Sequence, residues 1–204
     1  RKKKIYFVIS ISSVVLSLFF HELGVVVPLL IIAYDRIFGE SSLKESKKTY
    51  IKLLSPLAPY LILRFVADSH WFSGDYSYNL FKLPYNVVGN VIGYVALDVL
   101  GPISLPIYEA LRSFGRSHVL LAILASLIII PLFVKGYRFL IKKVTNEEKK
   151  IVIFAVLFFA ISLLPFLGLG NISSRYSYLS SFGIVLLLVL LVKSLYFYLF
   201  TYGK

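Results

Sequence analysis

The sequence predicts an all-α fold: a polytopic transmembrane helical bundle of about six full spans plus one re-entrant, interfacial or broken segment. Three observations carry this expectation. Apolar residues make up 58% of the 204, and mean hydropathy is +0.83, more apolar surface than a soluble core of this size can use. The apolar runs are continuous rather than alternating, which disfavours a β-barrel, and several are long enough to cross the roughly 30 Å of a hydrocarbon layer. Basic residues cluster at the ends of these runs, so the net charge of +12 (22 basic less 10 acidic) reads as a topology signal and not as a nucleic-acid surface. The absence of cysteine excludes a disulfide, a thiolate nucleophile and a cysteine metal site. Because the chain also lacks methionine, residues 1–204 are read as one transmembrane domain from a longer protein.

Taken in order, Ile5 to Phe20 follows Arg1-Lys2-Lys3-Lys4 as a signal peptide would, but leads into a second run with no A-x-A cleavage site. Its 16 residues reach about 24 Å at ~1.5 Å per residue. The second run, Val25 to Phe38, carries Pro28 in its first turn, where no donor is needed, and ends at Tyr34-Asp35-Arg36. The two form a hairpin with His21 and Glu22 at its tip, and Asp35 with Arg36 reads as a helix-end pair. Gly39 to Lys52 reads as a cytoplasmic loop, and Leu53 to Ala67 as a third span despite Pro56 and Pro59. Asp68 to Tyr85 has one basic residue, Lys82, and is aromatic-rich, which marks it as extracytoplasmic, with Trp71 and nearby tyrosines as interfacial anchors. Asn86 to Leu105 is interrupted by Gly89, Asn90, Gly93, Asp98, Gly101 and Pro102, and Tyr108 to Ser117 reads as a polar connector holding Arg112 and Arg116. Spans follow at His118 to Gly136, Ile151 to Leu167 and Gly183 to Phe200, with the strongly basic Arg138 to Lys150 after the first of them.

Parity selects among topologies. A full crossing by Asn86 to Leu105 puts the basic stretch at Arg138 outside. A re-entrant or interfacial segment, or a helix pair folded within Asn86 to Ser117, puts every strongly basic loop inside. The second arrangement also gathers His21, Glu22, Arg64, the Asp68 loop, Arg175 and Tyr176 on one outer face.

The chemistry-bearing residues are few. Arg175, Tyr176 and Tyr178 lie in a polar seam, Leu164 to Leu179, between the last two spans, and no acid follows Glu148 in the chain. A lipid phosphate would pair Arg175; a snorkelling arginine within an aromatic belt is the plainer alternative. Arg64 lies about one turn from the end of its span, as a site or as an ion pair with Glu22 or Asp68. His21 and Glu22 serve equally as a site or as a solvated turn capping the next helix. Asp98 lies in the doubtful segment and could be buried, although a wet position fits it better. Asp68, His70 and Asp75 could hold a divalent cation, although their spacing fits a solvated loop better, and no metal site or other cofactor is readable. No G-x-S-x-G, H-E-x-x-H, phosphate-loop or dinucleotide fingerprint occurs.

His21-Glu22-Leu23-Gly24-Val25-Val26-Val27-Pro28-Leu29-Leu30, ending in Tyr34-Asp35, resembles the "K-E-x-G … P-L-L … Y-D" hairpin of GT-C integral-membrane glycosyltransferases. Within that superfamily it is most similar to the protein O-mannosyltransferase-like group often fused to tetratricopeptide repeats. Ser174-Arg175-Tyr176-Ser177-Tyr178-Leu179 resembles the group's later "E-R-Y-L-Y-L-P-S" seam, and Arg64 fits between the two motifs. Among the departures from the pattern are His21 for lysine, Ser174 for glutamate and Ser180 for proline. The resemblance covers roughly the C-terminal half of such a membrane domain, and the family's catalytic acid sits upstream of it. It implies a multi-pass plasma-membrane protein that transfers a sugar from a polyprenyl-phosphate donor on the extracytoplasmic face. Arg175, Tyr176, Tyr178, Arg64, Glu22 and His21 would hold the lipid phosphate or substrate. The competing reading is a transporter or flippase-like subunit for a lipid or anionic solute; a third is a structural membrane subunit with no site.

Overall fold

The structure, a computed structural model, describes residues 2–67, 78, 80–118, 120–121, 124, 127–128, 131–132, 134–135 and 145–202. Among these the chain is all-helical apart from one isolated antiparallel bridge between Tyr78 and Leu169. The helices are α1 (Lys2–Phe20), α2 (Val27–Phe38), α3 (Leu43–Leu54), α4 (Leu57–Val66), α5 (Leu83–Leu100), α6 (Ser104–Ser117), α7 (Asn146–Leu163) and α8 (Ser174–Tyr202).

Local chemistry explains most boundaries. A short 3-10 turn, Glu22–Val26, joins α1 to α2, and Pro28 opens α2. The expected loop over Gly39 to Lys52 is instead largely α3. The Ser42 hydroxyl accepts from Glu45 N while the Glu45 carboxylate accepts from Ser42 N at 3.1 Å, a capping box that starts a helix in spite of its lysines. Thr145 and Glu148 repeat the device at the start of α7. The expected third span is broken at Ser55 and Pro56, because proline cannot donate to the preceding turn.

Two helices, Leu83–Leu100 and Ser174–Tyr196, are long and apolar enough to cross a membrane; Ile5–Phe20 is a shorter apolar helix. The expected count of about six therefore finds two by this measure among the described residues. The first turn of α7 is taken up by Asn146, Glu147, Glu148, Lys149 and Lys150, and the proline break shortens α4. Arg138 to Lys143, Val144 and nine residues of the span before them lie outside the described residues, as do Asp68, His70, Trp71 and Asp75.

The principal core joins Tyr94 and Leu97 of α5, Tyr108 of α6, Phe159 and Leu163 of α7, Phe166, Leu169 and Ile172 of the seam, and Tyr176 and Ile184 of α8. A smaller cluster packs Val14 and Leu18 of α1 against Leu53 of α3. Helices α7 and α8 lie close enough that a Cβ on Gly183 would come within 2.5 Å of the Ala155 carbonyl oxygen. At the far end from the seam, Lys193 pairs with Glu148 at 2.6 Å. Nineteen residues of α8 separate Ser174 from Lys193, about 28 Å at ~1.5 Å per residue.

The expected polar connector from Tyr108 to Ser117 is also helical, and α5 with α6 forms an antiparallel hairpin. Gly101 turns the chain with φ of 74°, a conformation suited to glycine, and Ser104 N donates to its carbonyl at 3.0 Å. Higher up, the Tyr85 hydroxyl donates to the Arg112 carbonyl at 2.9 Å. The doubtful segment is thus one arm of a helical hairpin. Its tip is fixed in height by Asp98, which accepts from the Ser180 hydroxyl at 3.1 Å, six residues into α8. That depth is about 9 Å below Ser174 and about 20 Å above Lys193.

Candidate functional site

One cavity of about 370 Å³ lies where α4, the turn after α1, Tyr78, the seam and the start of α8 meet. Its construction begins at His21, whose extended backbone ends α1 and whose Nδ1 accepts from Leu23 N at 3.1 Å. That turn sends Glu22 into the cavity wall, where its Oε2 accepts from Arg64 Nη2 at 2.7 Å. Arg64 Nη1 donates to the Tyr60 hydroxyl at 3.0 Å, one turn earlier on α4. Side-chain exposures of 32% for Arg64 and 34% for Glu22 leave the pair reachable from solvent.

The opposite wall is aromatic. Tyr176, in the first turn of α8, stacks on Phe166 with ring centroids 3.9 Å apart and an angle of 10° between planes. Arg175 Nη2 donates to the Tyr176 hydroxyl at 2.9 Å, which sets its guanidinium beside the cavity. Tyr78 also lines the cavity and donates its hydroxyl to the Pro165 carbonyl. Burial pushes the Tyr78 phenol above its usual range, and the nearby Glu22 charge acts in the same direction. It therefore serves as a donor at neutral pH.

The structure thus brings Glu22, Arg64 and Tyr176 together, with Arg175 next to them. It does not bring Tyr178, which is 82% exposed, or His21, whose ring caps the turn. Tyr178 lies two residues beyond Tyr176, about 200° around the helix, so one helix cannot present both to the same cavity. Of the two expected readings of Arg64, the ion pair with Glu22 is realised, and it is made within the cavity.

Beside this lies a polar cluster whose role the sequence did not disclose. Arg112 is 9% exposed. It donates from Nη1 to Asn90 Oδ1 at 3.0 Å and to the Tyr108 hydroxyl at 2.6 Å, and from Nη2 to Asn86 Oδ1 at 2.8 Å. The amide nitrogens of the same asparagines donate onward: Asn90 to the carbonyls of Leu167 and Leu169 at 2.9 Å each, and Asn86 to that of Gly168 at 3.2 Å. No carboxylate within ion-pair distance balances Arg112 among the described residues. Its charge is instead spread through two amide dipoles onto carbonyls just past the C-terminal end of α7, the negative end of a helix dipole. The readable signal was the spacing: Asn86 with Asn90, and Tyr108 with Arg112, are both pairs one helical turn apart.

Asp98 is a correction of another kind. Expected to be wet, it buries Oδ1 without a partner and uses Oδ2 for Ser180. Asp35 and Arg36 likewise do not pair: Asp35 accepts from the Tyr50 hydroxyl at 2.5 Å, and Arg36 donates to the Ser41 carbonyl at 3.1 Å. No group of three or more His, Asp or Glu side chains that could hold a metal occurs among the described residues. Comparison with protein-family models, curated proteins and solved structures finds no match to this chain.

Proposed function

We propose that this chain is the lipid-binding part of a membrane-embedded glycosyltransferase, and that the Glu22–Arg64–Tyr176 cavity receives the phosphate of a polyprenyl-phosphate-linked sugar. One observation carries the reading. Glu22, Arg64 and Tyr176 belong to three separate segments singled out by the resemblance, and they line one cavity. Its chemistry suits a phosphate: a planar guanidinium that can pair two oxygens, and tyrosine hydroxyls as further donors. Glu22 holds Arg64 in place until an anion of higher charge competes for the same fork. Arg175 at the rim adds a second cation, and the positive charges would stabilise the lipid phosphate as it leaves.

A second cavity of about 330 Å³ adjoins the first through Tyr60 and is lined by apolar groups of α1 and α4, Val15, Leu18, Phe19, Pro59 and Leu63 among them. An amphiphile could place its head in the first and its chain in the second. In this reading the hydrocarbon layer lies between the seam and the Glu148–Lys193 pair, and the roughly 28 Å from Ser174 to Lys193 along α8 matches it. The cavity then opens on the extracytoplasmic side, the remaining helices make the multi-pass arrangement, and α5–α6 is a hairpin re-entering from that side to about mid-depth. Activation of the acceptor is assigned to the upstream acid that the resemblance implies.

The test uses the full-length protein with a short-chain polyprenyl-phosphate sugar. Arg64→Ala and Arg175→Ala are each expected to weaken binding by tenfold or more, about 1.4 kcal/mol, and to reduce transfer. Wild-type binding and transfer in both variants would remove the assignment. Movement of the lipid across the bilayer without sugar transfer would favour the transporter.

A further inference from the structure

The lysines of α3 form a surface that neither the cavity nor the core uses. At about 100° per residue, Lys47, Lys44, Lys48 and Lys52 fall near 40°, 100°, 140° and 180° from Leu43 around the helix, and all four are exposed. The other side of α3 is turned inward: Ser46 and Leu53 are buried, Tyr50 donates to Asp35, and Ser46 shares a hydrogen bond of 2.7 Å with Ser41. These bonds hold α3 against α2, so its lysine side faces outward. Glu45, the one acid of the helix, has its carboxylate turned back onto Ser42 N at the cap.

Two apolar residues sit among the lysines. Ile51 is 58% exposed, three and four residues beyond Lys48 and Lys47, and Leu43 is 63% exposed. A purely aqueous face gains nothing from an isoleucine ringed by ammonium groups. A bilayer surface does, because the isoleucine meets acyl chain while lysine stems run along it and carry their charges to the phosphates. Position agrees for the first half of the helix: Tyr34 and Phe38 of α2 pack on Phe154 of α7, which puts the start of α3 towards the same end of the molecule as Glu148 and Lys193. Lys52 is set apart, because Leu53 beside it packs on Val14 and Leu18 towards the cavity end of α1. Helical side chains lean toward the helix N-terminus, and α3 begins at that end, so the lysines lean toward it.

We infer that the first half of α3 is an anionic-lipid docking surface, with Lys44, Lys47 and Lys48 binding phospholipid head groups of the leaflet opposite the cavity. The inference rests on membrane insertion but not on glycosyl transfer. Its strength should grow by about fivefold per lysine near an anionic surface and fall with salt.

Since this chain has no cysteine, Ile51→Cys carries an environment-sensitive fluorophore to a position one turn from Lys47 and Lys48. The labelled protein is placed in nanodiscs of phosphatidylcholine, alone or with increasing phosphatidylglycerol. The expected result is a blue shift that grows with phosphatidylglycerol and reverses in high salt. It should be lost when Lys44, Lys47 and Lys48 are changed to Gln and kept when they are changed to Arg. Emission that ignores phosphatidylglycerol, or a Gln variant that responds as the parent does, overturns the inference. So does a shift produced by soluble polyglutamate in neutral lipid but not by phosphatidylglycerol, which would identify an acidic protein as the partner. Failure of the parent protein to enter any bilayer defeats the membrane reading, whereas insertion without a lipid response defeats only this one.

Discussion

Arg112 donates to Asn90 Oδ1 at 3.0 Å, and the amide group of Asn90 donates in turn to three carbonyls of the seam. A buried cation is thereby joined, through a neutral amide, to the backbone that carries Phe166 and Leu169 into the cavity wall. The two residues lie on opposite arms of the α5–α6 hairpin, so one relay ties both arms to the seam.

Removing the cation should cost more than any surface change. Arg112→Ala leaves Asn86 Oδ1 without its charged donor and Asn90 Oδ1 with only the Tyr108 hydroxyl, a loss of about 2–3 kcal/mol as for buried groups deprived of a charged partner. Arg112→Lys should rescue only part of it, because one ammonium cannot reproduce the planar fork across both asparagines. Thermal unfolding in detergent tests this, with a midpoint drop on the order of 10 °C expected for the alanine variant. An unchanged midpoint would show that the relay carries no stability.

The far end of the molecule titrates in acid. Lys193, hydrogen-bonded to the Glu148 carboxylate, is the main reason that carboxylate is held down to about 2, with the Thr145 backbone and hydroxyl adding to it. A depressed carboxylate contributes stability above its ordinary value near 4.5 and loses it as pH falls toward 2. Lys193→Gln should therefore cost at most about 1 kcal/mol at pH 7, as expected for an exposed pair. It should also flatten the decline in unfolding temperature between pH 4.5 and pH 2 relative to the parent. Identical acid profiles would refute the link between α7 and α8.

The hairpin makes a topological prediction. Phe81, which is fully exposed, and Ser117 stand just before α5 and at the end of α6. Cysteines placed singly at these positions should react with a membrane-impermeant maleimide from the same side of sealed vesicles. Labelling from opposite sides would mean that α5 crosses and that its return through α6 is not the arrangement in the bilayer.

Composition and spacing determined a good deal without coordinates. Continuous apolar runs demanded helices, because a backbone in hydrocarbon must satisfy its own hydrogen bonds. Thr145 with Glu148 and Ser42 with Glu45 are start signals present in the chain itself, although the basic residues around both concealed them, so that one helix was expected to begin only at Ile151 and the other was expected to be a loop. Arg64 and Glu22 could be suspected as partners, since a charge near hydrocarbon needs one.

Only the tertiary structure decided which suspects meet. The Glu22–Arg64 pair closes over 42 residues, a separation that no local periodicity reports. Tyr176 enters the cavity and Tyr178 does not, because the phase of α8 is set by its packing on Phe166 and against α7. The depth of Asp98, and the use of Asn86 and Asn90 to disperse the charge of Arg112, follow from the hairpin folding back on itself. Local preferences act over one helical turn, whereas these contacts are chosen by the packing of whole helices.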